Sequence, residues 1–327
     1  MSNKVLVTRK IPKQGLDILE NSGLQCMVHE ADRPIRRQEL EYQIKEVEAV
    51  IPMLTDRIDA PLLDLAPGLR IVANLAAGTD NIDIPACTAR GIAVTNTPGV
   101  LTEATADLTL ALILSVARNV VKADKYLRKG CFNGWDPLLF NGISLGGKTL
   151  GIIGMGKIGL AVAKRARGFD MKIIYHNRNP LPDQVTLPLG ATYMHLDDVI
   201  RNADFLSLHL PYSPPVRHLI NEERLNMMRP DAYLINTARG AHIDEKSLVK
   251  HLRERKIAGA ALDVYEYEPL LAPGLTDLET VTLLPHLGSA SIEARSGMAR
   301  LSAESVLAVL NGEIPANILN PEIFESK

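Results

Sequence analysis

The stretch "TLGIIGMGKIGLAVAKRA" (149–166) constrains this chain more than any other. A run of β-branched and apolar residues ends at Gly154, and Gly154, Gly156 and Gly159 follow as G-x-G-x-x-G before a segment rich in helix formers. Strand, tight turn and helix in that order build a βαβ unit, whose second strand must lie parallel to the first. The first glycine makes the turn, the second lets backbone N–H groups approach an anion, and the third allows close helix–strand packing. With the helix N-terminus facing the turn, Gly154, Met155, Gly156, Lys157, Ile158 and Gly159 read as a pyrophosphate cradle for a dinucleotide. The second strand, "MKIIYH", runs into Asn177 and Arg178. A site for NAD places an Asp or Glu there, about 20 residues on, to bind the ribose hydroxyls, and that carboxylate repels a 2′-phosphate. Asn177 and Arg178 instead offer a neutral amide and a guanidinium that can grip a phosphate, so NADPH is the expected cofactor, with NADH possible.

The 327 residues exceed one ordinary core, and surface-to-volume scaling favours two domains of about 150 residues each. Strands are expected at "KVLVT", "QCMVH", "AVIPML", "RIVANL" and "IAVTN", with helices such as "PKQGLDILENS" and "RRQELEYQIKEV" between them. After "TPGV" breaks the chain, Thr102 can cap one long helix running to about Lys129. A second series, "KTLGIIG", "MKIIYH", "ADFLSLHL", "AYLINTA", "AGAALDV" and "VTLLPH", supplies six more parallel strands. A last amphipathic helix, from about Ser291 to Leu310, needs apolar surface and is expected to return to the first domain. The fold class is therefore α/β with two doubly wound parallel sheets: a flavodoxin-like substrate-binding domain (1–98 and 289–327) and a Rossmann dinucleotide-binding domain (99–288).

A net charge of −2 with well-mixed signs gives no basic field for nucleic acid or an anionic membrane surface. Cys26, Cys87 and Cys131 are odd in number and too scattered for a metal cluster, as reduced cytosolic thiols would be. Lysine and arginine within the first ten residues argue against export, and the apolar run Leu108 to Ala117 falls short of the roughly 20 residues that cross a bilayer. A cytoplasmic protein with a small-molecule partner and no metal is expected.

Three further stretches, "LINTARGAHIDE", "AALDVYEYEP" and "VTLLPHLGSA", each follow an expected strand. Loops at the carboxyl ends of parallel strands form the ligand crevice, so Arg239, Glu268 and His286 can converge there. Each has a duller use as surface cation, helix-start acid or core histidine; together, beside a dinucleotide turn, they supply what hydride transfer to a carbonyl requires. His286 can protonate the developing alkoxide, Glu268 can stabilise the imidazolium and raise its pKa, and Arg239 can hold a 2-keto acid through its carboxylate and carbonyl oxygens.

Through "GxGxxG", "NxxRG", "DVxExEP" and "PHxG" in order, the chain resembles the D-isomer-specific 2-hydroxyacid dehydrogenase family over nearly its whole length. The resemblance implies the same three catalytic residues. It adds "NLAAGTDNID", where the N–H groups of Ala77 and Gly78 would bind the substrate carboxylate, alongside Arg239 and His286. It also implies cofactor contacts at Thr105, Pro211, Thr237, Ala238, Asp263 and Gly288. In "NTARGAHIDE", Ala241 and His242 replace a bulkier aliphatic pair frequent in relatives. "LTEATAD", "GWDPLLFNG", "YHNR" and "PHLGSA" are similar to the glyoxylate/hydroxypyruvate reductase branch, which includes enzymes reducing 2-ketogluconate. That branch implies a homodimer, with Trp135 shaping the outer edge of a site or packing at the interface. A different class, a dinucleotide-sensing corepressor of the same family, would show slow turnover and a protein partner; the chain ends shortly after its last expected helix, without the tail such a role would use.

Overall fold

Apolar residues at both parities along the strands require each sheet to be covered on both faces, and the computed structural model shows two such sheets. It describes residues 3–325. The chain divides into two compact units, Met1–Leu101 with Ala290–Lys327, and Thr102–Ser289.

In the first unit β1 (Lys4–Val7), β2 (Gln25–Val28), β3 (Ala49–Ile51), β4 (Ile71–Ala73) and β5 (Ala93–Thr95) form a wholly parallel sheet in the order β2-β1-β3-β4-β5. Leu6, Val50, Val72 and Val94 pack into one core, and Val5, Val7, Ala49, Ile51, Ile71 and Ala73 into another. The second core is completed by the helix Ile292–Leu310, which packs on the helix Lys13–Asn21 and on β4 and β5. Ser291 caps it by accepting the N–H of Ala294 at 3.0 Å. The Arg70 guanidinium takes its last carbonyls, Val309 at 3.0 Å and Leu310 at 3.2 Å, satisfying acceptors that a helix end leaves open.

In the second unit β6 (Thr149–Ile153), β7 (Lys172–His176), β8 (Ala191–Tyr193), β9 (Phe205–Leu208), β10 (Tyr233–Asn236), β11 (Gly259–Leu262) and β12 (Val281–Leu283) lie parallel in the order β12-β11-β10-β9-β6-β7-β8. The order reverses between β6 and β9, the switch point where doubly wound sheets open a ligand crevice. Seven strands replace the six expected. The additional one, β8, has three residues at the sheet edge with Thr192 exposed, so it carries no apolar run to announce it.

The single helix expected from Thr102 to Lys129 is instead two, Thr102–Ala117 and Val120–Arg128, bent by 65°. Asn119 sits between them at φ 53°, a left-handed conformation that asparagine tolerates better than most residues. Ala117 O, which a continuing helix would use, accepts the N–H of Ile143 at 2.9 Å. Thr102 is itself the first helical residue. Among the described residues no single helix is long and apolar enough to cross a membrane.

Candidate active site

β6 delivers the chain to Gly154, whose φ of 92° only glycine adopts freely. A Cβ there would lie 2.7 Å from Leu210 N and 2.8 Å from His209 C, so the turn is wedged against the loop that follows β9. Gly159 is equally enclosed, with a would-be Cβ 2.7 Å from Gly154 O, whereas nothing lies within 4 Å of the corresponding point at Gly156. Only the middle glycine opens onto free space, where a pyrophosphate must approach. Gly156 is also the N-cap of the helix Lys157–Arg167 and offers no capping side chain, leaving that end's N–H groups to an anion. The residues therefore fit a dinucleotide.

Asn177 closes this turn from β7: its Oδ1 accepts the Met155 N–H at 2.6 Å and its Nδ2 donates to Met155 O at 3.3 Å. The amide expected to face a ribose is committed to holding the cradle. Arg178 beside it is exposed and has no hydrogen bond or ion pair among the described residues. Thr237, after β10, shares a hydroxyl contact of 3.0 Å with Thr109; Thr109 donates to Thr105 O at 2.8 Å, and Thr105 donates to Gly288 O at 3.0 Å. Thr105, Thr237 and Gly288 thus belong to one network. Pro211 is exposed and Ala238 half-buried.

Arg239, Glu268 and His286 come together within this unit, from the loops after β10, β11 and β12. His286 Nδ1 and Glu268 Oε2 are 2.9 Å apart, and Arg239 lies near enough for its charge to favour the ionised carboxylate. The loop bearing Arg239 is built around the buried amide of Asn236, which donates to Arg239 O at 2.8 Å and accepts from Ala238 N at 3.0 Å. Arg239 Nη1 donates to Ala238 O at 2.8 Å. His286 has φ 55°, a conformation costing a non-glycine residue about 1–2 kcal/mol. Asp263 pins it there: its carbonyl accepts the His286 N–H at 2.9 Å, and its carboxylate accepts Leu287 N at 2.6 Å and Gly288 N at 2.7 Å. Asp263 therefore orients the histidine turn.

Electrostatics separate the carboxyl groups. Burial works against the charge on Glu268, but the bond from His286, its charge, the Tyr265 N–H at 3.0 Å and Arg239 outweigh it, and the carboxyl sits below the usual range. Burial pushes Asp263 and Glu245 upward despite the N–H groups that each accepts. Burial, reinforced by Asp263, Glu245 and Glu268, raises Tyr265 well above an ordinary phenol. It stays protonated and donates to Leu284 O at 2.8 Å, tying the Glu268 segment to the residue before Pro285 and His286.

In the first unit, Asn74 Nδ2 donates to Gly78 O at 2.9 Å and Asn96 Nδ2 to Ala77 O at 2.7 Å. Asn81 exchanges amide bonds with Asn74 at 3.1 and 3.2 Å and donates to the carbonyls of Met53 and Asp56, both at 3.1 Å. The carbonyls of Ala77 and Gly78 are thereby occupied, while their N–H groups have no acceptor among the described residues. The sequence assigns no role to Asn74, Asn81, Asn96, Asn236, Tyr265 or Glu245, although Asn236 opens the NxxRG stretch and Asn74 and Asn81 lie within NLAAGTDNID.

Comparison with known proteins gives a consistent set. Residues 110–288 match the model of the D-isomer specific 2-hydroxyacid dehydrogenase NAD binding domain. A glyoxylate reductase of Thermococcus litoralis is 48% identical over 301 residues, 91% of this chain and 90% of the relative. The crystal structure of the TT0316 protein from Thermus thermophilus superposes with a TM-score of 0.91 at 45% identity, covering 97% of this chain and 99% of that one. The NADPH-dependent glyoxylate/hydroxypyruvate reductase of Sinorhizobium meliloti, solved with NADP and malonate, has a TM-score of 0.84 at 33% identity, covering 97% and 96%.

Proposed function

Since the chain belongs to the D-isomer specific 2-hydroxyacid dehydrogenase family, we propose that it reduces glyoxylate to glycolate and hydroxypyruvate to D-glycerate, preferring NADPH to NADH. The class is that of an NAD(P)-dependent dehydrogenase using a nicotinamide dinucleotide. The observation that carries the reading is the 2.9 Å contact of His286 with Glu268 in the unit that holds Arg239 and the glycine turn.

The bound nicotinamide supplies a hydride to the C2 carbon of the keto acid. This chain's residues do the rest. Glu268, held ionised, can only accept hydrogen bonds, so Nδ1 of His286 carries a proton and Nε2 is the nitrogen that faces substrate chemistry. Protonated at Nε2, His286 gives that proton to the carbonyl oxygen as charge develops there, and Glu268 stabilises the imidazolium beforehand. Arg239 holds the keto acid by its carboxylate and carbonyl oxygens with its planar fork. In the first unit Ala77 and Gly78 are the backbone donors for a carboxylate, kept available by the asparagine network behind them. Thr105, Pro211, Thr237, Ala238 and Gly288 are the residues that would hold the dinucleotide, with Asp263 contributing through the Gly288 turn.

The NADPH preference rests on Arg178, uncommitted beside an Asn177 that is already engaged, with no carboxylate in the His176-Asn177-Arg178 stretch. A homodimer is supported by Trp135 and Leu138, 85% and 79% exposed on the segment after Arg128, and the three free cysteines suit a cytoplasmic setting. Loss of the reduced-nicotinamide absorbance with glyoxylate, hydroxypyruvate and 2-ketogluconate, each with NADPH and NADH, tests the activity. No oxidation of either cofactor by any of the three removes it, and turnover of 2-ketogluconate alone moves the substrate. Arg178→Ala should raise the KM for NADPH at least ~10-fold while leaving that for NADH within about threefold; equal changes remove the arginine from phosphate recognition.

A further inference from the structure

Two carboxylates alternate along Tyr265–Glu268, and only the second meets His286. Glu266, with a side chain just 8% exposed, is engaged elsewhere: its Oε1 accepts His218 Nε2 at 2.7 Å and Arg217 Nη2 at 3.0 Å. The main chain of His218 is bonded to a different segment. Its N–H donates to Ala241 O at 2.8 Å, and two residues on, Ile220 N donates to His242 O at 2.9 Å while Asp244 N donates to Ile220 O at 3.0 Å. Residues 218–220 therefore run beside the stretch that immediately follows Arg239. His218 is joined through its backbone to the segment of Arg239 and through its ring to the segment of Glu268.

The geometry points to a positioning role for this second histidine–glutamate pair: His218 and Glu266 set the spacing between Arg239 and the carboxylate of Glu268. The inference rests on the roles proposed above for Arg239, Glu268 and His286. Apart from the bridge of Tyr267 with Leu270, residues 265–268 lie in neither helix nor strand, so side-chain anchors help to decide where Glu268 stands. Tyr265 supplies one through Leu284 O, and buried Glu245 supplies another by accepting the Glu266 N–H at 2.7 Å. The Glu266 carboxylate supplies a third through His218, whose main chain runs beside the stretch after Arg239, and Arg217 ties the same place by donating to Glu266 Oε1 at 3.0 Å and to Tyr267 Oη at 3.3 Å. Releasing it lets the segment swing, and a displacement of ~1 Å in a catalytic group can cost ~10²-fold in rate.

Glu266→Ala, Glu266→Gln, His218→Ala and Glu268→Gln, assayed with glyoxylate and NADPH, test this. Glu266→Ala and His218→Ala should each lower kcat by ~10- to 100-fold, with dinucleotide affinity, read from reduced-nicotinamide fluorescence, and thermal midpoint close to wild type. Glu266→Gln keeps an acceptor for His218 and Arg217 and should restore kcat to within about threefold. Should Glu266→Ala fail to fold, His218→Ala and the glutamine rescue decide alone. Wild-type kcat in His218→Ala, no rescue by glutamine, or a kcat loss matched by equal losses of dinucleotide affinity and thermal midpoint overturns the positioning role. A fully active Glu268→Gln instead overturns the site reading on which it stands.

Discussion

Gly240→Ala puts the closeness of the Arg239 and Glu268 segments to a direct test. A Cβ on residue 240 would lie 1.8 Å from the carbonyl carbon of Tyr265, 2.1 Å from its oxygen and 2.3 Å from Glu266 N. Ordinary Cβ contacts begin at 3.4 Å, so the two main chains must part by about 1.6 Å, and neither side of the clash is a side chain that can rotate away. The added methyl separates the residue next to Arg239 from the segment that ends in Glu268. Proton and hydride transfer tolerate much less than that, and a loss of kcat/KM of ~10²-fold or more, equivalent to ~2.7 kcal/mol of transition-state stabilisation, is expected. Overpacking should cost a further ~1–3 kcal/mol of stability. The glycine turn 154–159 is held by the Asn177 amide on Met155 and by the Gly154 N–H on His176 O at 2.9 Å, so dinucleotide affinity should persist. Steady-state kinetics with glyoxylate, nicotinamide fluorescence and a thermal melt read the three quantities separately. A folded Gly240→Ala enzyme with kcat/KM within about threefold of wild type would refute the close packing of these segments as the source of the site's geometry.

Glu268→Gln should cost ~10²- to 10⁴-fold in kcat. In the wild type the carboxyl lies below its ordinary value, so the stabilisation it contributes is complete above the unfolded carboxylate range and is lost as pH falls through the depressed value; proton titration by NMR showing an unshifted Glu268 would contradict this. Burial pushes His209 down to about 3, with Nδ1 enclosed and Nε2 2.8 Å from Ser207 Oγ. The unfolded chain therefore binds one more proton between that value and ~6.5, and stability should fall by up to ~1.4 kcal/mol per pH unit below ~6.5. His209→Gln should remove that slope in urea unfolding, and parallel slopes for the two proteins would deny it. Asn81→Ala unfastens the 74–81 loop from the carbonyls of Met53 and Asp56; the keto-acid KM should rise ~10-fold with dinucleotide affinity unchanged, and an unchanged KM would remove the loop from substrate binding.

How much of this was legible in the sequence depends on the range over which each feature is decided. Leu150, Ile152 and Ile153 declare β6 by themselves, because a strand covered on both faces must be apolar at both parities. The glycine turn is local too. Arg239, Glu268 and His286 were legible because each closely follows a strand, and parallel topology carries strand ends to one edge regardless of their separation in the chain. The Asn119 break and β8 were not, since one left-handed residue and a three-residue edge strand leave no periodic trace. The partner of a polar side chain is harder still. Asn177 reads equally well as a ribose ligand or as a clamp on Met155, 22 residues away, and only the fold of the turn between them decides. Glu266 and Glu268 are chemically identical neighbours two residues apart; the family resemblance singles out Glu268, but strand-end placement by itself does not separate the two. That choice is made by contacts from outside the segment: Gly240 beneath Tyr265, Tyr265 on Leu284, and His218 on Glu266. Sequence therefore yields the membership of the site, while the division of labour within it follows from packing. Substitutions at positions with no chemistry of their own, such as Gly240, are accordingly the ones that should damage catalysis with every catalytic side chain still present but displaced.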